Sequence, residues 1–309
     1  MLRRLKLKHW ITAGSLGFIA VALAQQSEQL RRIQLDAAAW GWLSLGLLLT
    51  GISIPVNGWA WRQVLLWLGH PPREIAVVPL FVRSNLLKYL PGGIWHLVER
   101  VRVLRPRIGA GPALAGVILD PLLIVAAASL LMSFGGWQHG LLLLAPLPLL
   151  LLMLPRAREP ILRRLERGKA RQLEAADTGS LGPGSPSLGA APRNGTPWQA
   201  LLIELVFLLV RFGGFACCLN AFGLFPPPAT VWLAAFAMAY AAGLVVPGAP
   251  GGLGVFETTL LLRLGDGVAE APLLAAVLCY RLISTAADGL LAAGVVLQGG
   301  RSSAHGVGS

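Results

Sequence analysis

Seven long apolar runs decide what this chain can fold into: Trp10–Ala24, Ala37–Ile54, Leu114–Phe134, Leu141–Leu154, Ala200–Leu224, Val231–Val246 and Leu273–Leu297. A helix crosses a bilayer in about 20 residues. Several of the runs have that length, and two are short. Charged residues make up 13% of the chain and hydrophobic residues 55%, whereas soluble domains are about 25% charged. The alternation of a β-barrel is absent. The sequence therefore predicts an all-α, polytopic helical membrane protein, with nearly all of its 309 residues in one membrane domain. The expected plan is about six spanning helices plus two broken helix pairs that re-enter the membrane, related as an inverted repeat. Residues 1–154 form a first half, 155–198 a loop, and 199–299 a second half.

Two stretches break the apolar sequence. The stronger is Val246-Pro247-Gly248-Ala249-Pro250-Gly251-Gly252-Leu253-Gly254-Val255-Phe256-Glu257, in which six of twelve residues are Pro or Gly. Such residues remove backbone donors or weaken helix, and in hydrocarbon an unpaired backbone group costs several kcal/mol. A break of this kind survives where protein or a polar cavity covers it. The other stretch is Leu90-Pro91-Gly92-Gly93-Ile94, followed by Glu99 and Arg100. Ile75–Leu104 is too polar and too broken for one lipid-facing helix, and reads as two half-helices meeting at Pro91–Gly93.

Charge sets the expected orientation. The net charge of +12 sits mostly in loops beside apolar runs, where basic residues fix topology and meet anionic head groups. No aromatic-basic surface or motif points to nucleic acid. The loop from Pro155 to Trp198 carries Arg156, Arg158, Arg163, Arg164, Arg167, Lys169 and Arg171, then turns rich in Gly, Ser and Pro. It reads as cytoplasmic, with a disordered second part. The amino terminus, with Arg3, Arg4, Lys6 and Lys8 before its apolar run, has the plan of a signal peptide. An uncleaved first helix with a cytoplasmic start is favoured, because the remaining chain is itself membrane-embedded. Cys217, Cys218 and Cys279 lie in apolar runs and give neither a disulfide framework nor metal spacing. There is no nucleotide-binding loop, and no cofactor is expected.

The two breaks match in spacing. Pro91 precedes Glu99 by eight residues and Pro250 precedes Glu257 by seven; intramembrane Asp120 and Arg281 follow those carboxylates by 21 and 24. Interrupted helices at corresponding positions point to a transport site. A helix starting at Gly92 or Gly251 would present free N–H groups and its positive dipole end to an anion such as a lipid phosphate. Candidate substrate-binding residues are Arg83, Asn85, Lys88, Pro91, Gly92, Gly93, Glu99, Arg100 and Asp120 in the first half. In the second half they are Pro250, Gly251, Gly252, Glu257 and Arg281. The competing explanation is a tightly packed kink with its carboxylates paired to arginines for stability. Glu204 and Arg211, seven apart on one helix face, read as facing the bundle interior.

Three segments, Pro250-Gly251-Gly252-Leu253-Gly254-Val255-Phe256-Glu257, Asn85…Tyr89-Leu90-Pro91-Gly92 and Tyr280-Arg281-Leu282, together resemble a known family. It is the flippase-like membrane region of lysylphosphatidylglycerol synthases, also found as stand-alone bacterial membrane proteins of the YbhN type. The chain departs from the family pattern at Phe256, where a basic residue is common, and at Ile94-Trp95-His96, where Gly-Glu is common. The resemblance implies a lipid translocase in the bacterial inner membrane, moving an anionic or polyprenyl-linked lipid between leaflets. In two-part synthases a separate soluble domain carries out aminoacyl transfer. Only a dozen residues follow Leu297 here, so lysyl transfer is not expected; no nucleophile-base spacing, Asp-rich metal motif or histidine cluster points to another enzymatic activity. The alternatives are a membrane-embedded lipid-modifying enzyme, or a non-transporting subunit that docks a lipid or glycan biosynthetic enzyme on the Arg156–Arg171 loop. Expected partners are membrane lipids, with a homo-oligomer or such an enzyme left open.

Overall fold

The computed structural model describes residues 36–71, 75–90, 94–135, 197–224, 228–246, 254–264 and 268–305. The run Trp10–Ala24, the run Leu141–Leu154, the loop as far as residue 196, and the break residues 91–93 and 247–253 lie outside them. Eight helices follow in order among the described residues: α1 (Ala37–Trp67), α2 (Val77–Asn85), α3 (Trp95–Ile108), α4 (Ala110–Met132), α5 (Trp198–Ala221), α6 (Ala229–Val245), α7 (Val255–Leu264) and α8 (Glu270–His305). A 3-10 turn, Leu86–Tyr89, extends α2, and another, Ser133–Gly135, extends α4. Among the described residues, four stretches are long and apolar enough to cross a bilayer: Ala37–Trp67, Ala110–Gly135, Trp198–Ala221 and Pro272–Gln298. The protein is a polytopic helical membrane protein.

Helix α1 shows how the apolar runs are used. Asp36 caps it by accepting a 2.7 Å hydrogen bond from the Ala39 N–H. Its sequence gives no sharp stripe, yet Trp40, Leu45, Leu48, Ile52 and Trp59 are exposed while Leu43, Thr50, Ile54, Ala60, Trp61 and Val64 are buried. One side is thus apolar toward the surroundings and the other apolar toward the bundle, as lipid on the outside requires. The helix passes through Pro55 instead of ending there, and α4 likewise passes through Pro121. Membrane helices tolerate this because neighbouring helices cover the freed carbonyl.

The element order is long, short, break, short, long, given twice. Exchanging α1 with α5, α2 with α6, α3 with α7 and α4 with α8 maps the packed helix pairs onto themselves. Thus α1 packs on α8 and α5 on α4; α2 on α8 and α6 on α4; α1 on α4 and α5 on α8. The sequential neighbours obey the same rule, and α1 packs on its own counterpart α5.

At that central crossing the backbones touch. A Cβ built on Gly214 would overlap Thr50 Oγ1 and come within 3.2 Å of the Gly46 carbonyl, and one on Gly46 would lie 3.1 Å from the Gly214 carbonyl. Small residues that let backbones approach are the usual membrane-helix solution. Gly214→Val is therefore expected to cost about 1–3 kcal/mol as an overpacked contact, read as a lower unfolding temperature in detergent. Gly41→Ala, at a position with open space around it, should leave that temperature unchanged.

The second core is aromatic. Phe215 of α5, Phe236 of α6, Phe256 of α7 and Tyr280 of α8 form a mutual cluster in which every pair of ring centroids is 5.3–6.1 Å apart. Such pairs favour offset or edge-on geometry and add about 0.5–1.5 kcal/mol each beyond burial. The cluster fixes the short helix α7 against α8. It thereby sets the positions of the next residues in sequence, Glu257 and Arg281.

Candidate functional site

A buried carboxylate joins the two halves of the chain. Helix α2 ends at Asn85 and tightens into the 3-10 turn, where residues three apart eclipse, so Asn85 and Lys88 share a side with Tyr89 adjacent. All three converge on Asp288 of α8, which has no solvent exposure. Asn85 Nδ2 donates to Oδ1 at 2.7 Å, the Tyr89 hydroxyl donates to Oδ2 at 2.7 Å, and Lys88 Nζ stands 2.7 Å from Oδ2. The Lys88 ammonium also sits 5.1 Å from the Tyr89 ring centroid. The lysine side chain keeps one-fifth of its surface exposed, whereas the carboxylate it pairs with has none.

The second centre follows the second break. Arg281 Nε donates to Glu257 Oε1 at 2.9 Å and Nη2 to Oε2 at 3.4 Å, a two-pronged pair. The guanidinium lies 5.0 Å from the Phe256 ring centroid. Glu257 also accepts the Gly254 N–H at 2.8 Å. Gly254 has φ +82°, a left-handed conformation that glycine supplies without strain. Glu257 is the third residue of α7, so it reaches back over its own helix start as the acidic member of a capping box does. The helices described after the breaks begin at Trp95 and Val255; Gly92 and Gly251 lie outside the described residues. The Gly254 N–H is occupied by Glu257, so an anion at this tip would have to displace an internal carboxylate.

The third centre follows the first break with the signs reversed. Arg100 of α3 is 1% exposed and Asp120 of α4 is 3% exposed, and Nη1 meets Oδ2 at 3.2 Å. Arg100 Nε donates to Ser84 Oγ at 3.1 Å. Its guanidinium stacks over Phe81 at 3.8 Å from the centroid and stands 5.1 Å from the Trp61 ring. Glu204 of α5, fully buried, lies within electrostatic reach of the Asp120 carboxyl, with neither of its own oxygens in a well-formed hydrogen bond. In both segments one ion pair therefore ties the short helix after the break to the long helix that follows.

The family described as Lysylphosphatidylglycerol synthase TM region matches residues 10–292. The chain belongs to this family. No curated protein matches it significantly. In this family member the candidate residues divide clearly. Asn85 and Lys88 meet at Asp288, Glu257 meets Arg281, and Arg100 meets Asp120. Glu99 does not join them: it pairs with Arg102 at 3.3 Å, three residues on, where the arginine side chain is 57% exposed. Arg83 is exposed. Pro91, Gly92, Gly93, Pro250, Gly251 and Gly252 fall outside the described residues. Asp288, Tyr89 and Glu204 belong to the buried centres without having been singled out as binding residues. Asp288 and Glu204 carried a usable signal, since an ionisable group inside an apolar run is rare and costly. Asp288 also lies seven residues after Arg281, two turns along one face of α8.

Proposed function

We propose that this member of the lysylphosphatidylglycerol synthase TM-region family is a lipid translocase of the bacterial inner membrane. It moves, or assists the movement of, an anionic or polyprenyl-linked lipid between leaflets. The observation that carries the reading is the convergence of Asn85, Lys88 and Tyr89, at the lip of the first break, on Asp288 of the last helix. A lysine held by a buried carboxylate but still reachable at the bundle edge is a gate that a lipid phosphate can open by competing for the ammonium. The exchange symmetry of the helix pairs supports the rest, because two matched bundles can rock to expose one path alternately to either side. In this scheme the breaks re-enter the membrane, and the amino terminus and the 155–198 loop face the cytoplasm by their basic residues. No step of the scheme is enzymatic.

Reconstitution into liposomes with head-group-labelled phosphatidylglycerol tests it. Protein-containing vesicles should equilibrate label between leaflets faster than protein-free ones. Lys88→Met should slow this about tenfold or more, the worth of one charge-assisted hydrogen bond. Equal equilibration with and without protein would end the translocase reading.

A further inference from the structure

Where α1, α5 and α8 meet, donors outnumber acceptors. Arg211 of α5 is 5% exposed, and no carboxylate among the described residues forms a salt bridge with it. One of its N–H groups, on Nη1, donates to Ser53 Oγ at 3.1 Å, while Nε has no partner. Thr50 Oγ1, one turn before Ser53, is unpartnered, as are Tyr280 OH and Ser284 Oγ on α8. The Tyr280 hydroxyl lies alongside Arg211 and Ser284 without a well-formed hydrogen bond. Tyr240, Tyr89, Lys88 and Asp288 lie within electrostatic reach of the guanidinium. Both Asp288 oxygens are already engaged by Asn85, Tyr89 and Lys88. Two cations, Lys88 and Arg211, thus share one carboxylate, and the buried centre holds one positive charge and several hydroxyl and N–H donors in surplus.

We propose that Arg211, with Ser53, Thr50, Tyr280 and Ser284, forms a binding centre for a singly charged phosphate ester inside the bundle. A guanidinium offers a planar fork matched to two phosphate oxygens, and the surrounding hydroxyls supply donors to the others. One negative charge cancels the surplus, and every unpartnered donor gains an acceptor. Lys88 is the member that reaches the surface, so it delivers the anion inward. The site deepens the translocase reading and rests on it for the lipid as the source of the phosphate; the same chemistry would also hold free phosphate.

The full chain, purified and delipidated in a non-ionic detergent, is titrated with dihexanoylphosphatidylglycerol, with dihexanoylglycerol lacking the phosphate, and with inorganic phosphate. Binding is read as a rise in unfolding temperature. The phosphatidylglycerol should raise it and the diacylglycerol should not. Arg211→Lys, which keeps the charge and loses the fork, should weaken binding about tenfold or more. Tyr280→Phe removes only an unpartnered hydroxyl and should weaken it less, and it carries the test if the lysine variant does not fold. Arg107→Gln, on the exposed side of α3, should bind as the parent does. Competition by inorganic phosphate at similar concentration would make the free anion the ligand, and competition only in large excess would make it the lipid. An equal response to the diacylglycerol, or full-strength binding in every folded variant of Arg211 and Tyr280, overturns the proposal. Binding without lipid equilibration in liposomes would leave the site standing and remove the translocase reading. Equilibration that survives the loss of binding in Arg211→Lys would keep the translocase reading and overturn the claim that this site serves it.

Discussion

Asp288→Leu is expected to lose about 3–5 kcal/mol of stability, the usual cost of stripping the partner from a buried ion pair. The carboxylate has no exposure and receives three donors, so the change strands a lysine, an amide and a phenol together. The double variant Asp288→Leu with Lys88→Met removes the stranded charge and should recover a large part of the loss, since a buried ion pair exchanged for apolar side chains is often close to neutral. The residual deficit comes from Asn85 and Tyr89, each unsatisfied at about 1–3 kcal/mol. Unfolding temperature in detergent reads both variants. Lipid equilibration should stay lost in the double variant even where stability returns. Restored transport alongside restored stability would mean that the cluster is a fastening and not a gate.

Arg100→Met should be the next most damaging change, again about 3–5 kcal/mol. It leaves Asp120 and Glu204, two buried carboxyl groups on different helices, without their cation. It also removes the stack on Phe81 and the bond to Ser84. Arg100→Lys should not rescue it fully, because an ammonium can neither fork between Ser84 and Asp120 nor lie flat on the ring. Asp120→Asn in the Arg100→Met background should return part of the loss by removing the stranded Asp120 charge. Arg102→Gln, changed on the exposed face of the same helix, should cost at most about 1 kcal/mol.

The contrast between neighbouring residues explains what could be read beforehand. The four described spanning helices, and the helix ends on either side of each Pro-Gly stretch, were legible because length, apolarity and Pro-Gly content are properties of the chain itself. Helix phase in α3 was not. Glu99 and Arg100 are adjacent, about 100° apart around the helix axis, and one is partly exposed while the other is buried. Because α3 carries charges on several sides, the sequence offers no apolar stripe to choose between them. Glu257 was legible as a partner of Arg281, but its bond to the Gly254 N–H depends on where α7 starts, which the Pro-Gly stretch obscures. Asp288 was visible as a charge within an apolar run. Its partners were not visible, because Asn85, Lys88 and Tyr89 lie about two hundred residues away in sequence and only packing of α2 on α8 brings them close.

The bare backbone crossing of α1 and α5 has a mechanical meaning. Gly46 and Gly214 bring the two backbones together with only small groups such as Thr50 and the Cys217 Cβ between them, and in the proposed translocase scheme this close crossing would serve as a fulcrum with the helix ends as lever arms. Ten residues of helix make an arm of about 15 Å, so a tilt of about 4° there carries its tip about 1 Å. That is enough to part a 2.7 Å contact such as Lys88 with Asp288. A bulky residue at this crossing, such as Gly214→Val, would then slow lipid equilibration as well as lower the unfolding temperature.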